Sequence, residues 1–224
     1  MSAVSYTVKI LSTEFITHNV KRFRLEKPEG YTFIPGQATE ITINKEGWRD
    51  KRNPFTFTSL NSWPFLEFTI KIYDSHQGVT QQLGLLLPGD ELIIHDVWGA
   101  IQYTGEGYFI AGGAGITPFI AILRQLYVDK KIGDNKLFFS NQTVADIILK
   151  DEFSAMLGNK FVNTITGEKT KEYDHRRIDE AYLADNVTDF SRHFYICGPD
   201  AMVQSVQEAL KNLGAAANVI TVEI

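Results

Sequence analysis

Short alternating runs of apolar and polar residues fill the first half of the chain. The runs are YTVKIL, VKRFRL, ATEITI, FTFTSL, LEFTIKIY and ELIIHD, separated at short intervals by Pro, Gly or Asn. A period of two places successive side chains on opposite faces of a strand, and the short spacing is typical of antiparallel strands. The pattern predicts a small antiparallel β-barrel or sandwich over residues 1–103.

The hydrophobic pattern changes at Tyr108. An apolar strand, a glycine turn and an amphipathic helix follow one another in GYFIAGGAGITPFIAILRQLYVD, and KLFFSN is a further strand before more helical stretches. Alternating strands and helices predict an α/β domain with a parallel sheet over residues 104–224. The GEG tripeptide at residues 105–107 indicates a short joint between the halves.

Composition narrows the possible functions. With 44% apolar and 22% charged residues in 224, the chain has the balance of a globular protein of one or two units. The net charge of −5 argues against binding to nucleic acid. The single cysteine, Cys197, excludes an internal disulfide and a cluster held by four thiolates, so a redox centre would be an organic cofactor or lie on a partner.

No apolar run approaches the roughly 20 residues of a membrane span, and the first residues lack the apolar core of a signal peptide. We therefore expect a cytoplasmic protein without a membrane span.

The glycine turn after the strand at Tyr108 is a candidate phosphate-binding site. Its glycines leave backbone N–H groups open to close approach, while Thr117 is expected to cap the following helix and Pro118 to occupy its first position. The alternative is a tight turn in which glycine only relieves strain. The residues expected to bind nucleotide phosphates are Gly112, Gly113, Ala114, Gly115, Thr117 and Pro118.

A second strand, FYIC, also ends in a glycine turn that opens a helix. In a doubly wound sheet both turns would converge on one ligand at the carboxyl edge. A cysteine in such a position is more often a small buried side chain than a reactive thiol, and we give Cys197 no nucleophilic role. The residues expected on the nicotinamide side of the cleft are Cys197, Gly198 and Pro199, and Met202 is a further candidate cofactor-binding residue.

The strand between these turns ends in Ser140, Asn141 and Gln142, where a dinucleotide would place its adenosine ribose. These three residues include no cation for a 2′-phosphate, which argues against NADPH. A basic stretch follows further along the chain and could reach such a phosphate, although a solvated loop explains it equally well. Its residues are Lys169, Lys171, Arg176 and Arg177.

In the barrel half, the strand KRNPFTFTS combines a cation, an aromatic ring and hydroxyl groups. Such a strand could offer an arginine to a phosphate, a ring for stacking and a hydroxyl to the polar edge of a flavin. An ordinary β-strand is the alternative. The candidate cofactor-binding residues here are Arg52, Asn53, Pro54, Phe55 and Thr56, to which we add Ile70 and Ile72 of the next strand.

Together with FIPGQ at residues 33–37, AGGAGITPF and CGPDAM, this strand resembles the ferredoxin–NADP reductase superfamily in motif content and order. The resemblance implies an FAD-binding barrel followed by an NAD(P)-binding α/β domain. The aromatic and hydroxyl positions of the superfamily's flavin strand fall on Phe55 and Thr56. Its arginine, which pairs with the flavin pyrophosphate, aligns with Asn53, while Arg52 stands one position earlier and would point to the other face. Either a local bulge returns Arg52 to the site, or the phosphate contact is weakened.

The resemblance continues at Gly78, Val79 and Thr80, which match a second motif for the FAD pyrophosphate and favour FAD over FMN. The segment SNQTVADIILKDEF is similar to NADH–cytochrome b5 reductases and favours NADH over NADPH. Near the end of the chain, Glu223 matches an acidic position close to the hydride-transfer site, with an exposed terminal charge as the alternative. The residues expected to take part directly in catalysis are Thr56, Cys197 and Glu223.

The function implied is hydride transfer from NADH or NADPH to bound FAD, followed by electron transfer to a separate acceptor. Ferredoxin, flavodoxin, a cytochrome or a small molecule could be that acceptor. Two alternatives stay open: a non-enzymatic regulator that binds a nucleotide or a partner on the same fold, and a reductase that uses free flavin as a substrate.

Overall fold

Among residues 5–74, 77–99 and 101–223, which this computed structural model describes, six antiparallel strands form the first half of the chain. Their order in the sheet is β4-β3-β6-β1-β2-β5, and a bridge between Phe57 and Phe68 joins the two ends into a barrel. The elements are β1 (Tyr6–Phe15), β2 (Val20–Glu26), β3 (Ala38–Ile43), β4 (Asn53–Thr56), β5 (Phe65–Lys71), α1 (Val79–Leu85) and β6 (Glu91–Trp98).

Aromatic side chains fill the barrel because every second residue of each strand points inward. Phe23, Phe57 and Phe68 are completely buried, and Phe33 stacks on Phe57 with 4.2 Å between ring centroids. Burial of this apolar surface is the main source of stability for this half.

The second half is a parallel five-stranded sheet covered by helices on both faces, with strand order β11-β10-β7-β8-β9. Short 3₁₀ turns lie between several of the elements. The elements are β7 (Gly107–Gly112), α2 (Thr117–Val128), β8 (Lys136–Asn141), α3 (Lys150–Leu157), β9 (Phe161–Ile165), α4 (Glu180–Asn186), β10 (His193–Cys197), α5 (Asp200–Asn212) and β11 (Ile220–Glu223).

The sheet is buried on both faces, which explains the continuous apolar runs in its strands. Phe109 and Phe139 pack on the side of α2 and α3, whereas Ile110 and Phe138 pack on the side of α4 and α5. The chain leaves β7 toward β8 and β9 and returns on the other side of β7 as β10, so a crevice opens between β7 and β10 at their carboxyl ends. The predicted fold class is confirmed.

The two halves share a packed interface. Val20 of β2 and Ile101 are buried in the hydrophobic core of the α/β half, and Tyr103 packs against the same core. Gly36 of the barrel lies so close to this segment that a Cβ there would stand 2.3 Å from the carbonyl oxygen of Ile101. Ile101 and Tyr103 thus pack with the α/β half although they precede residue 104. The domain boundary after residue 103 stays a prediction.

No helix within the described ranges has both the length and the apolar character needed to cross a membrane.

A buried lysine fixes helix α1 to the barrel. The ammonium group of Lys21 in β2 donates hydrogen bonds to the carbonyl oxygens of Gly84 and Leu86, at 2.9 and 2.7 Å. Burial lowers the pKa of Lys21, but the two carbonyl groups at the carboxyl end of α1 give the ammonium partners that water would otherwise supply.

Replacement of Lys21 by Met should lower the free energy of unfolding by about 2 kcal/mol, because two carbonyl groups lose their charged donor. Urea denaturation would measure the change. Lys9→Met on the neighbouring strand β1 is the control, since Lys9 is exposed and a surface substitution of this kind should change stability by less than about 0.5 kcal/mol. Equal effects of the two substitutions would contradict this role of Lys21.

Candidate functional site

A cleft of about 620 Å³ lies between the barrel and the carboxyl edge of the parallel sheet. Thr56, Lys71 and Tyr73 line it from the barrel, and the ends of β7, β8 and β10 line it from the other half. A ligand in this cleft would contact both halves at once. The residues that line it from the α/β half are Gly112, Gly113, Ala114, Gly115, Thr117, Pro118, Ser140, Asn141, Gln142, Asp146, Thr166, Cys197, Gly198, Pro199, Met202 and Glu223.

The two glycine turns are in direct backbone contact. A Cβ on Gly115 would stand 2.3 Å from the carbonyl oxygen of Cys197, and one on Gly112 would stand 2.4 Å from the sulfur of Met202. The first distance is far inside van der Waals contact with backbone, so glycine is required at position 115 for the turns to meet, whereas at position 112 the flexible Met202 side chain would have to move. Gly113, by contrast, has a φ of +52° and open space where a side chain would point, so this turn presents bare backbone to the cleft.

The entry to α2 differs from the prediction in one respect. Thr117 is the first residue of the helix and does not cap it, because a 3₁₀ turn over Gly113–Ile116 leads the chain directly into helical geometry. Its hydroxyl group donates to the carbonyl oxygen of Ala114 at 3.0 Å. Because the helix begins one residue earlier than predicted, at Thr117, Pro118 is its second residue rather than its first. The amino end of this helical segment still faces the cleft, where its free N–H groups favour an anion.

The end of β8 supplies a buried amide without a protein partner. Asn141 is buried and lines the cleft, and neither Nδ2 nor Oδ1 of its side chain has a hydrogen-bond partner in the part of the chain that the structure describes. A buried amide without partners is costly unless a ligand or water satisfies it. Asn141 is therefore well suited to bind a polar ligand at the position where the sequence predicts a ribose.

At the other end of the cleft, Cys197 and Glu223 are direct neighbours on the parallel strands β10 and β11. Burial raises the pKa of the Cys197 thiol to about 12, and the nearby Glu223 carboxylate adds to the rise. Burial also raises the pKa of Glu223, whose Oε2 has no partner among the described residues. A thiol with a pKa this high is protonated at neutral pH and is a poor nucleophile.

On the barrel wall, strand β5 presents a face other than the predicted one. Ile70 and Ile72 point into the barrel core, whereas Lys71 and Tyr73 line the cleft. Val79 of the predicted second flavin motif is likewise part of the barrel core. The structure therefore does not bring these three apolar side chains to the cleft. Strict alternation along LEFTIKIY could have identified Lys71 and Tyr73, since it places them opposite the isoleucines.

Arg52 contacts the neighbouring strand. Its Nη1 lies 3.3 Å from Oε2 of Glu40 in β3, and both side chains are substantially exposed. Pairing of β3 with β4 keeps a continuous register from Asn53 to Thr56, and Arg52 lies just before the first paired residue. Of the predicted flavin positions, Thr56 lines the cleft. The remaining ones, within the described chain, are not part of the cleft lining: Arg52, Asn53, Pro54, Phe55, Ile70, Ile72, Gly78, Val79 and Thr80.

Comparison with known proteins agrees with this architecture. Residues 109–208 match the model of the oxidoreductase NAD-binding domain family. The chain is 28% identical to NADH-cytochrome b5 reductase 1 of Homo sapiens, over 89% of this chain and 78% of the relative.

Two solved structures have the same fold over nearly their whole length. A ferredoxin NADP+ reductase from Neisseria gonorrhoeae, with bound FAD and NADP, superposes with a TM-score of 0.81 at 21% identity and covers 98% of both chains. The cytochrome b5 reductase domain of Ulva prolifera nitrate reductase gives a TM-score of 0.84 at 21% identity over 99% of this chain and 97% of that domain. The resemblance to the ferredoxin–NADP reductase superfamily is confirmed.

Within the ferredoxin reductase fold, the sequence motifs account for most of the α/β wall of the cleft. Every predicted nucleotide-binding residue of that half lines the cleft, whereas Asp146 and Thr166 were missed. Both follow strand ends on the side of the ribose position, and sequence position alone provides no signal for them.

Replacement of Gly115 by Ala should lower the free energy of unfolding by about 3 kcal/mol, because the new methyl group overlaps the backbone of Cys197. Gly113→Ala is the matched control in the same turn. It meets open space, so it should cost roughly 1 to 2 kcal/mol from its left-handed backbone alone. Thermal and urea unfolding of both variants would measure the difference, and a Gly115 variant as stable as the Gly113 variant would show that the turns do not pack as described.

Proposed function

We propose that this chain is a flavin-dependent oxidoreductase that transfers a hydride from NADH to bound FAD and passes the electrons to a separate acceptor. The observation that carries the proposal is the shared cleft: Thr56 of the flavin strand lies on one wall, and both glycine turns lie on the other. A hydride moves only between atoms in near contact, so two cofactors that react must be held in one cleft. The curated relatives named NADH-cytochrome b5 reductases support the same reaction class.

The residues present fit a dinucleotide along the α/β wall. Bare backbone at Gly113 and the amino end of the α2 segment offer N–H groups to a pyrophosphate. The unpartnered amide of Asn141 is placed to bind a ribose hydroxyl. Cys197 and Glu223 lie at the opposite end, where burial disfavours the charged form of both side chains. This end of the cleft therefore suits an uncharged ring such as a reduced nicotinamide.

The residues of the barrel wall fit the ring system of a flavin. A flavin supplies the capacity to take up a hydride and to release electrons one at a time. The Thr56 hydroxyl can bond a polar edge of that ring, and Lys71 is a cation on the same wall. Positioning by the two walls, rather than acid–base chemistry, is the main contribution of the protein.

NADH is favoured over NADPH by the charge at the ribose end. Ser140, Asn141, Gln142 and Thr166 line this end without a cation, and the carboxylate of Asp146 lines it as well. A 2′-phosphate placed beside a carboxylate and without an arginine would be disfavoured. The electron acceptor and the cytoplasmic location stay predictions, and a one-electron carrier protein or a small molecule would both suit the chemistry.

One observation favours a second candidate, a reductase that uses flavin as an exchangeable substrate. Arg52, the arginine closest to the position expected for the flavin pyrophosphate, pairs with Glu40, and Asn53 stands where the superfamily has its arginine. A pyrophosphate without that cation would bind less tightly. Under this candidate, flavin would be lost on dialysis, and turnover would return when FAD or FMN is added.

Anaerobic titration with NADH and with NADPH, followed in the visible spectrum, tests the proposal. Purified protein supplied with FAD should show flavin absorption bands near about 370 and 450 nm, which bleach with NADH at lower concentrations than with NADPH. Dialysis before the titration separates bound from exchangeable flavin. Protein that binds NADH but leaves the flavin spectrum unchanged would support a non-enzymatic role instead.

Replacement of Asn53 by Arg should tighten FAD binding about tenfold, because one charge-assisted hydrogen bond to phosphate is worth roughly 1.5 kcal/mol. Fluorescence titration with FAD measures the dissociation constant. Arg52→Gln is the companion variant and should change that constant less than twofold, since Arg52 is occupied by Glu40. The opposite pattern, with loss of flavin in Arg52→Gln and no gain in Asn53→Arg, would identify Arg52 as the phosphate ligand.

A further inference from the structure

We infer that Glu67 and Arg124 are a positioning pair that fixes the barrel wall of the cleft relative to its α/β wall. The inference rests on the proposed hydride transfer between the two walls. Glu67 belongs to β5 of the barrel and Arg124 to α2 of the α/β half. Nη1 of Arg124 lies 2.6 Å from Oε1 of Glu67 and 2.6 Å from the carbonyl oxygen of Thr58. Both side chains are buried.

Each end of the pair is connected to the cleft through a rigid element. Arg124 lies seven positions after Thr117, a rise of about 10 Å along one helix. Glu67 lies four positions before Lys71 on one strand, and Thr58 lies two positions after Thr56. Thr117, Lys71 and Thr56 all line the cleft. A shift at the Arg124 contact would therefore move one wall relative to the other.

Each half immobilises its own member of the pair. Within the barrel, Glu67 also accepts hydrogen bonds from the Thr58 hydroxyl at 3.2 Å and from Nε of Arg24 at 3.1 Å. Within the α/β half, Arg124 makes a two-pronged contact with Glu152 of α3, through Nε and Nη2. The guanidinium groups of Arg24 and Arg124 and the carboxylates of Glu67 and Glu152 thus form one network. Nη1 of Arg124 joins the part of this network in the barrel to the part in the α/β half.

The energetics of buried ion pairs favour a geometric role over a stabilising one. Desolvation of two charges offsets much of their attraction, so apolar replacements of buried pairs are often as stable as the originals. The planar guanidinium group, however, fixes the direction of each of its hydrogen bonds. The indole ring of Trp63 in the barrel lies against the same group, 5.2 Å from Cζ of Arg124. The contact is therefore defined in both distance and orientation.

A comparison of Glu67→Gln with Glu152→Gln tests the cross-domain contact of Arg124 against its contact within the α/β half. Each substitution removes one carboxylate from Arg124, but Glu152 belongs to the same half as Arg124 and is the matched control. In FAD-loaded protein, Glu67→Gln should slow flavin reduction at saturating NADH at least tenfold and leave the NADH dissociation constant within twofold. Glu152→Gln should change both quantities less than twofold. Stopped-flow absorbance and equilibrium titration would supply the values.

A second readout needs no cofactor. Protein labelled with 5-fluorotryptophan should give a ¹⁹F resonance for Trp63, assigned through Trp63→Phe, that shifts or broadens in Glu67→Gln and stays in place in Glu152→Gln. Should Glu67→Gln fail to fold, Glu67→Asp keeps the charge on a side chain one methylene shorter, and its rate should fall between wild type and a tenfold loss.

The possible failures are distinguishable. If wild-type protein does not reduce FAD with NADH, the proposed function fails, and the positioning role fails with it. If wild-type protein reduces FAD and Glu67→Gln matches Glu152→Gln in rate and in the Trp63 resonance, the positioning role alone is wrong. An unchanged reduction rate with a shifted Trp63 resonance would also overturn it, because the contact would then have no effect on the cleft.

Discussion

The buried contact between Glu67 and Arg124 is the constraint on which the arrangement of the two halves depends. Each half has its own hydrophobic core, and Val20 of the barrel is buried in the core of the α/β half, so apolar packing joins the two halves. Dispersion and burial are not directional, whereas a guanidinium group bonded to a carboxylate and a carbonyl oxygen is. The mutual position of the cleft walls follows from this directional contact together with the packing of Val20 and Ile101 across the interface.

Close backbone approach determines the nucleotide wall. Glycine at position 115 lets the turn after β7 touch the turn after β10, and that contact places Cys197 beside the first turn, with Glu223 paired to it on β11. On the barrel wall, alternation along the chain directs Lys71 into the cleft, while its neighbours Ile70 and Ile72 fill the barrel core. The chemistry that we propose needs no more from the protein than these two surfaces at a fixed separation.

The sequence was sufficient to predict the barrel of the first half and the α/β domain of the second, because hydrophobic periodicity is a local signal. It also predicted the α/β wall of the cleft, because glycine turns after apolar strands can be identified locally. It was not sufficient for contacts between distant segments. Glu67 and Arg124 are single charged residues in apolar runs 57 positions apart, and nothing local indicates that they pair. Ile70 and Ile72 were expected at the cofactor, but the pleat of β5 directs them into the barrel. Thr117 was expected to cap α2 because it precedes Pro118. The 3₁₀ turn that makes Thr117 the first helical residue has no clear sequence pattern.

The most direct test of the account is a crystal structure of the FAD-loaded protein with NAD⁺. The account predicts the flavin ring beside Thr56, the dinucleotide along the Gly112 to Gly115 turn with its ribose at Asn141, and the nicotinamide ring stacked on the flavin near Cys197. A flavin bound outside this cleft, or a nucleotide whose nicotinamide ring cannot reach the barrel wall, would contradict it.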